Sequence, residues 1–176
     1  MKQPRPGLML AALCCAGLLA STPSAAVPLT YTHGALGATD ALMLVIDGVD
    51  EEMAAQGLSR TKVEQAITSR LLAAGMQVVP ESELAAAKNA GVLTLRIRLN
   101  RAPYYFFLYN INLTLSSKLL VNPDANAFTT IPTWSDGWVG AMQPTEVGHL
   151  QGFAEELLAR FLAQRTAERG QIIPAG

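Results

Sequence analysis

The sequence predicts an α+β fold, a two-layer sandwich in which a mixed sheet of about five strands carries helices packed on one face. Three observations lead there. Leu93, Leu95, Ile97 and Leu99 alternate with Thr94, Arg96, Arg98 and Asn100, the period-two pattern of a strand with one wet face. A longer alternating stretch follows, in which Tyr105, Phe107, Tyr109, Ile111, Leu113 and Leu115 oppose Asn110, Asn112, Thr114, Ser116 and Lys118. It reverses at the turn residues Asn122-Pro123-Asp124-Ala125-Asn126 and returns through Ala127 to Gly140 as a hairpin. Finally, Thr61 to Ala74 and Glu146 to Gln164 carry apolar residues at helical spacing.

The chain opens with the three parts of a secretory leader. Lys2 and Arg5 give a charged start, Leu8 to Leu19 an apolar run, and Ser24-Ala25-Ala26 a small-residue cleavage site, so residues 1–26 are set apart as a signal peptide. The competing readings are an uncleaved anchor, for which the run is short, and a lipoprotein, for which Leu13 before Cys14 fits badly. Cys14 and Cys15 are the only cysteines, so a chain processed at Ala26 has no disulfide or thiol chemistry. Processing also removes Lys2 and Arg5 from 13 basic residues against 14 acidic ones, moving the formal charge from −1 to about −3. Neither the charge nor the compartment suits nucleic acid.

Residues 27–41 read as an extended lead-in, and 42–165 as one domain. Leu42 to Ile46 is a short apolar strand ending at Asp47-Gly48. The next helix has two candidate caps, Ser59 and a Thr61–Glu64 capping box, and it stops at Gly75. Met76 to Val79 is a second strand, expected to run parallel to the first because a helix separates them. Pro80 opens a short helix that ends near Asn89-Ala90-Gly91. After the alternating strand and the hairpin, Thr145 caps a closing helix whose stripe is Leu150, Phe153, Leu157 and Phe161 with Ala154, Leu158 and Leu162. Glu155, Glu156, Arg160 and Arg165 face away. Residues 166–176 lack periodicity and read as a frayed tail. The order is strand, helix, strand, helix, three strands, helix.

Four features bear on function. Asp47, Asp50, Glu51 and Glu52 follow a strand end and form a candidate cation loop, although calcium-loop spacing is absent and a solvated loop is the plainer reading. His33 and His149 have no nucleophile or aspartate at a triad spacing, so the chain reads as non-enzymatic, with no resident metal or cofactor. Tyr104, Phe106 and Leu108 fall where a one-faced strand should be polar. Either both faces are covered there, or an apolar surface meets a partner. Trp134 and Trp138 belong to the same candidate surface, with core packing of Trp134 and a two-ring sugar platform as the competing readings.

Three stretches, LMLVIDGVDEEMAAQGLSRTKVEQAITSRLLAAGMQVV, LTLRIRLN and TTIPTWSDGWVG, carry a resemblance to a family of small, uncharacterised exported bacterial proteins. They cover most of residues 42–164 and transfer no catalytic residues. The element order is also loosely similar to the amino-terminal domain of TolB and to the outer-membrane activators of penicillin-binding proteins, which are interaction modules. The function expected is therefore an exported accessory domain of the cell envelope, in the periplasm or secreted, that binds a protein partner. The alternative is a carrier holding a lipid or sugar between the sheet and the closing helix.

Overall fold

The computed structural model describes residues 27–28, 31–32, 36–122 and 127–172. The leader with Cys14 and Cys15, His33, the turn residues 123–126 and residues 173–176 lie outside the described residues.

Two short pieces, β1 (Val27–Pro28) and β2 (Tyr31–Thr32), precede β3 (Ala41–Asp47), α1 (Glu51–Ala55), α2 (Arg60–Ala73), β4 (Gln77–Val78) and α3 (Glu81–Leu84). Then come β5 (Ala90–Arg101), β6 (Phe107–Asn122), β7 (Ala127–Met142), a 3-10 turn over Pro144–His149, and α4 (Leu150–Ile172). The sheet order is β1-β7-β6-β5-β3-β4, with β2 also on β7. β3 runs parallel to β4 and β5, as the crossover argument requires, and β5, β6 and β7 form the antiparallel meander.

Period two becomes structure directly. Leu93, Leu95 and Ile97 pair with Leu115, Leu113 and Ile111 and are all fully buried, facing the helices. Against them α4 lays Leu150, Ala154, Leu157, Leu158 and Phe161, and α2 lays Val63, Ile67 and Leu71. The cleft expected for a carrier is thus filled by protein side chains.

The reverse face of the sheet is polar around Arg96, Arg98, Asn110, Asn112 and Thr114. Here the Asn112 amide donates to Ser135 Oγ at 2.8 Å and to the Asp136 carbonyl at 3.3 Å. Among the described residues, short α3 is the helix seated on this side, where Leu84 packs with Ala41 and Ala90. Lys118, also on this face, donates from Nζ to the carbonyls of Ala85 and Ala87 at 2.7 and 2.9 Å, satisfying groups that the end of a helix leaves open.

The local differences from the sequence reading have identifiable causes. Asp50 nucleates the unforeseen α1, its carboxylate accepting the Met53 amide at 2.9 Å. Ser59, not Thr61, caps α2. Gln143, not Thr145, opens the closing segment, in a reciprocal box with Glu146. The tail read as frayed from residue 166 is helical to Ile172, because its polar side chains have distant partners. Glu168 Oε2 accepts the Leu36 amide at 2.6 Å, and Arg169 Nε donates to the Gly37 carbonyl at 3.0 Å. Arg165 does not face away: it is buried and donates to the Thr39 carbonyl at 2.9 Å. Burial pulls its pKa below the ordinary guanidinium value, Arg169 acts the same way, and Asp40 opposes them.

Candidate interaction surface

The link between β5 and β6 is built around Pro103, whose ring presets φ for the 3-10 turn Pro103–Tyr105. Tyr104 and Tyr105 both take left-handed backbone, φ 66° and 63°, which side-chain-bearing residues rarely adopt. The Ala102 amide, donating to the Phe106 carbonyl at 2.8 Å, closes the turn. The outcome is projection: Tyr104 is 88% exposed and Tyr105 92%. Phe106 and Leu108 are also exposed, and Val139 on β7, paired with Asn110, extends the apolar end of the reverse face. Of the two readings of the aromatic run, coverage on both faces fails. Strand β6 starts at Phe107, so Tyr104 to Phe106 form a turn and not a strand end.

Beneath the turn runs a groove of about 480 Å³, lined by Gln56, Arg101, Phe106, Phe107 and Pro144 along with the two tyrosines. Arg101 stands over the Phe107 ring, 5.9 Å from its centroid, and is ion-paired with Glu52. That carboxylate raises the Arg101 pKa further above neutrality, so the rim cation is permanent.

Trp134 does not belong to this surface. It is 1% exposed, its ring edge-on to Phe161 at 5.2 Å, with Nε1 donating to Gln164 Oε1 at 3.0 Å. Trp138 is half-buried, edge-on to Phe153 at 5.4 Å, with the Arg160 guanidinium 4.4 Å from its ring centroid. The two tryptophans share a face because the register shift falls between Leu115 and Ser116, outside the interval that separates them. That face is the helix-covered one, so no paired platform for a sugar forms.

Nor does the acidic loop converge. Asp47 accepts from Arg96 Nε at 2.9 Å and Arg98 NH2 at 3.0 Å, Asp50 caps α1, Glu52 pairs with Arg101, and Glu51 is exposed. Among the described residues, no three His, Cys, Asp or Glu side chains cluster to hold a metal ion. His149 is exposed at the end of the 3-10 turn. Hydrogen bonds from Arg96 and then Arg98 hold the Asp47 carboxyl below the usual carboxylate range. A depressed carboxylate pKa stabilises the fold above the unfolded value, and that stability is lost as pH falls through the folded value. The Tm gap between the parent protein and Asp47→Asn should therefore be present at neutral pH and close on acidification below about pH 4. A gap unchanged down to about pH 2 would remove Asp47 from the account.

The pair of buried Asp136 with half-buried Arg160 was not anticipated. Asp136 is 3% exposed, its Oδ1 accepts the Gly137 amide at 2.8 Å, and its Oδ2 lies 3.1 Å from Arg160 NH1. Its parity with Trp134 and Trp138 was the available signal.

No protein-family model matches the chain, and no curated protein sequence does. Among solved structures it is similar to a PelC dodecamer from Paraburkholderia phytofirmans in two crystal forms. Identities are 16% and 17% and TM-scores 0.44 and 0.42, over 81% and 79% of this chain and 99% and 96% of those chains. It is also similar to a minor lipoprotein from Acinetobacter baumannii, at 16% identity and a TM-score of 0.35, over 74% of this chain and 94% of that one. The likeness to TolB and to the activators of penicillin-binding proteins finds no support in these structures. At such identities and scores, the neighbours carry no functional argument. Among the described residues, no helix is long and apolar enough to cross a membrane.

Proposed function

We propose that the chain is an exported, non-enzymatic accessory domain of the bacterial envelope that binds a protein partner through Tyr104, Tyr105, Phe106 and Leu108. One observation carries the reading: a turn with two consecutive left-handed tyrosines holds the most exposed aromatic side chains among the described residues away from the core. Strained backbone of this kind costs on the order of 1 kcal/mol or more per residue and concentrates at functional sites. Large aromatic rings are favoured at the centres of protein interfaces. Export is supported by the leader-like start, and the non-enzymatic reading by carboxylates that are dispersed among arginine and backbone partners. The carrier reading loses its site to the packed sheet–helix interface.

The test is crosslinking in intact envelopes with the parent and with a Tyr105→Ser, Phe106→Asp double variant. The crosslinked partner band should fall at least about tenfold, while the urea midpoint moves by less than the equivalent of about 0.5 kcal/mol, as for other exposed positions. A band that survives in the folded double variant refutes this surface.

A further inference from the structure

The sheet face turned away from α2 and α4 holds a pocket of about 220 Å³, lined by Thr94 and Arg96 of β5, Asn112, Thr114 and Ser116 of β6, and Pro132 of β7. Strand register sets these side chains in rows, with Arg96 opposite Asn112 and Thr94 opposite Thr114. The shift after Leu115 makes Thr133 an extra residue on β7, which brings Pro132 opposite Ser116 as a wall.

A closed ring of hydrogen bonds fixes the floor. The Asn112 amide donates to Ser135 Oγ at 2.8 Å and to the Asp136 carbonyl at 3.3 Å, and Thr114 Oγ1 donates to Asn112 Oδ1 at 2.5 Å. Thr114 has no second proton, so the 3.2 Å contact between the two hydroxyls is a donation from Ser135. Gly137, opposite Asn112, makes room for this ring, since a Cβ there would stand 3.0 Å from Asn112 Nδ2. The protons of all three side chains are thus engaged, and the ring has only oxygen lone pairs left to offer.

Arg96 supplies the opposite kind of group. Its Nε bonds Asp47 Oδ2 at 2.9 Å, and its two terminal nitrogens have no partner among the described residues. Arg98 bonds the same carboxylate, so two guanidiniums share one negative charge and the wall stays positive. The half-buried Thr94 and Ser116 hydroxyls also have no partner among the described residues. Such an array discriminates among solutes: Arg96 repels a metal ion, a simple carboxylate leaves the acceptor ring unused, and a neutral polyol leaves the guanidinium unused. We infer that the pocket is a binding site for a sugar acid, a polyhydroxylated carboxylate whose charged end lies on Arg96 and whose hydroxyls donate to Asn112 and Thr114. Its volume is below that of sites for drug-sized ligands and suits one sugar ring. The site shares no lining residue with the aromatic turn and does not depend on it.

Sodium D-glucuronate is the probe, titrated calorimetrically into the full chain beside D-glucose, which lacks the carboxylate, and acetate, which lacks the hydroxyls. Glucuronate should bind saturably, and each of the others at least about tenfold more weakly. Arg96→Gln should abolish the preference over glucose, whereas Thr114→Val should weaken both sugars in equal proportion. Methyl β-D-glucuronoside separates two sources of the same chemistry: retained binding supports the end unit of a glycan, and lost binding a free sugar acid. The ligand comparisons leave the protein unaltered, so they decide the matter even if a variant fails to fold. Equal binding of glucuronate and glucose, or of glucuronate and acetate, would overturn the inference. So would no saturable binding of glucuronate up to about 10 mM, or a preference over glucose that survives in folded Arg96→Gln.

Discussion

Replacing Trp134 with alanine should lower the unfolding free energy by about 3–5 kcal/mol, the range for deleting a large aromatic from a packed core. The residue sits where β7 meets α4, edge-on to Phe161, opposite Leu115 on β6, and bonded to Gln164. Truncation removes the transferred apolar area and leaves a void that α4 and the sheet must collapse around. Urea denaturation monitored by far-ultraviolet circular dichroism measures it. Trp134→Phe should recover most of the loss, because the ring contact survives while the bond to Gln164 does not. A loss below about 1 kcal/mol for the alanine variant would mean that the ring is not in the core.

The second large effect is expected at Asp136→Ala, about 2–4 kcal/mol, slightly below the range for breaking a fully buried ion pair. The discount reflects Arg160, whose side chain is 38% exposed against 4% for Asp136 and can turn toward water once its partner is gone. Two costs remain. The Gly137 amide loses its acceptor in a place where a side chain at 137 would stand 2.5 Å from the Ile111 carbonyl, so the backbone is tightly enclosed there. The guanidinium that lies over Trp138 also loses its anchor. Asp136→Asn should cost less, since it keeps an oxygen for the Gly137 amide. Equal losses in the two variants would assign the whole effect to the charge.

Much of this fold was legible because its strands repeat a simple rule. Leu93 to Leu99 and Phe107 to Leu115 could be placed on one face from spacing alone, and the helix between β3 and β4 required their parallel pairing. What escaped depends on partners far away in sequence or on short local bonds. α1 is too brief for periodicity and exists through the Asp50 cap. The apolar stripe of α4 ends at Leu162, so its last turns, held by Glu168 and Arg169 to residues some 130 positions earlier, gave no apolar signal. Of the candidate surface, Tyr104, Phe106 and Leu108 were identifiable as apolar side chains at wet positions. That two adjacent tyrosines turn left-handed, and so become more exposed than any strand would leave them, belongs to backbone geometry that side-chain patterns do not encode.

The polar grip of α4 on the segment Leu36–Asp40 has a mechanical side. Arg165, Glu168 and Arg169 seize that segment at the point where the lead-in enters the domain. A pull on the chain ahead of β1 would load the β1 and β2 ladders on β7 first, and the grip of α4 on Leu36–Asp40 would hold the segment behind them once those ladders had opened. By anchoring the segment that runs directly into β3 at Ala41, the end of α4 shields the parallel strands from tension on the lead-in.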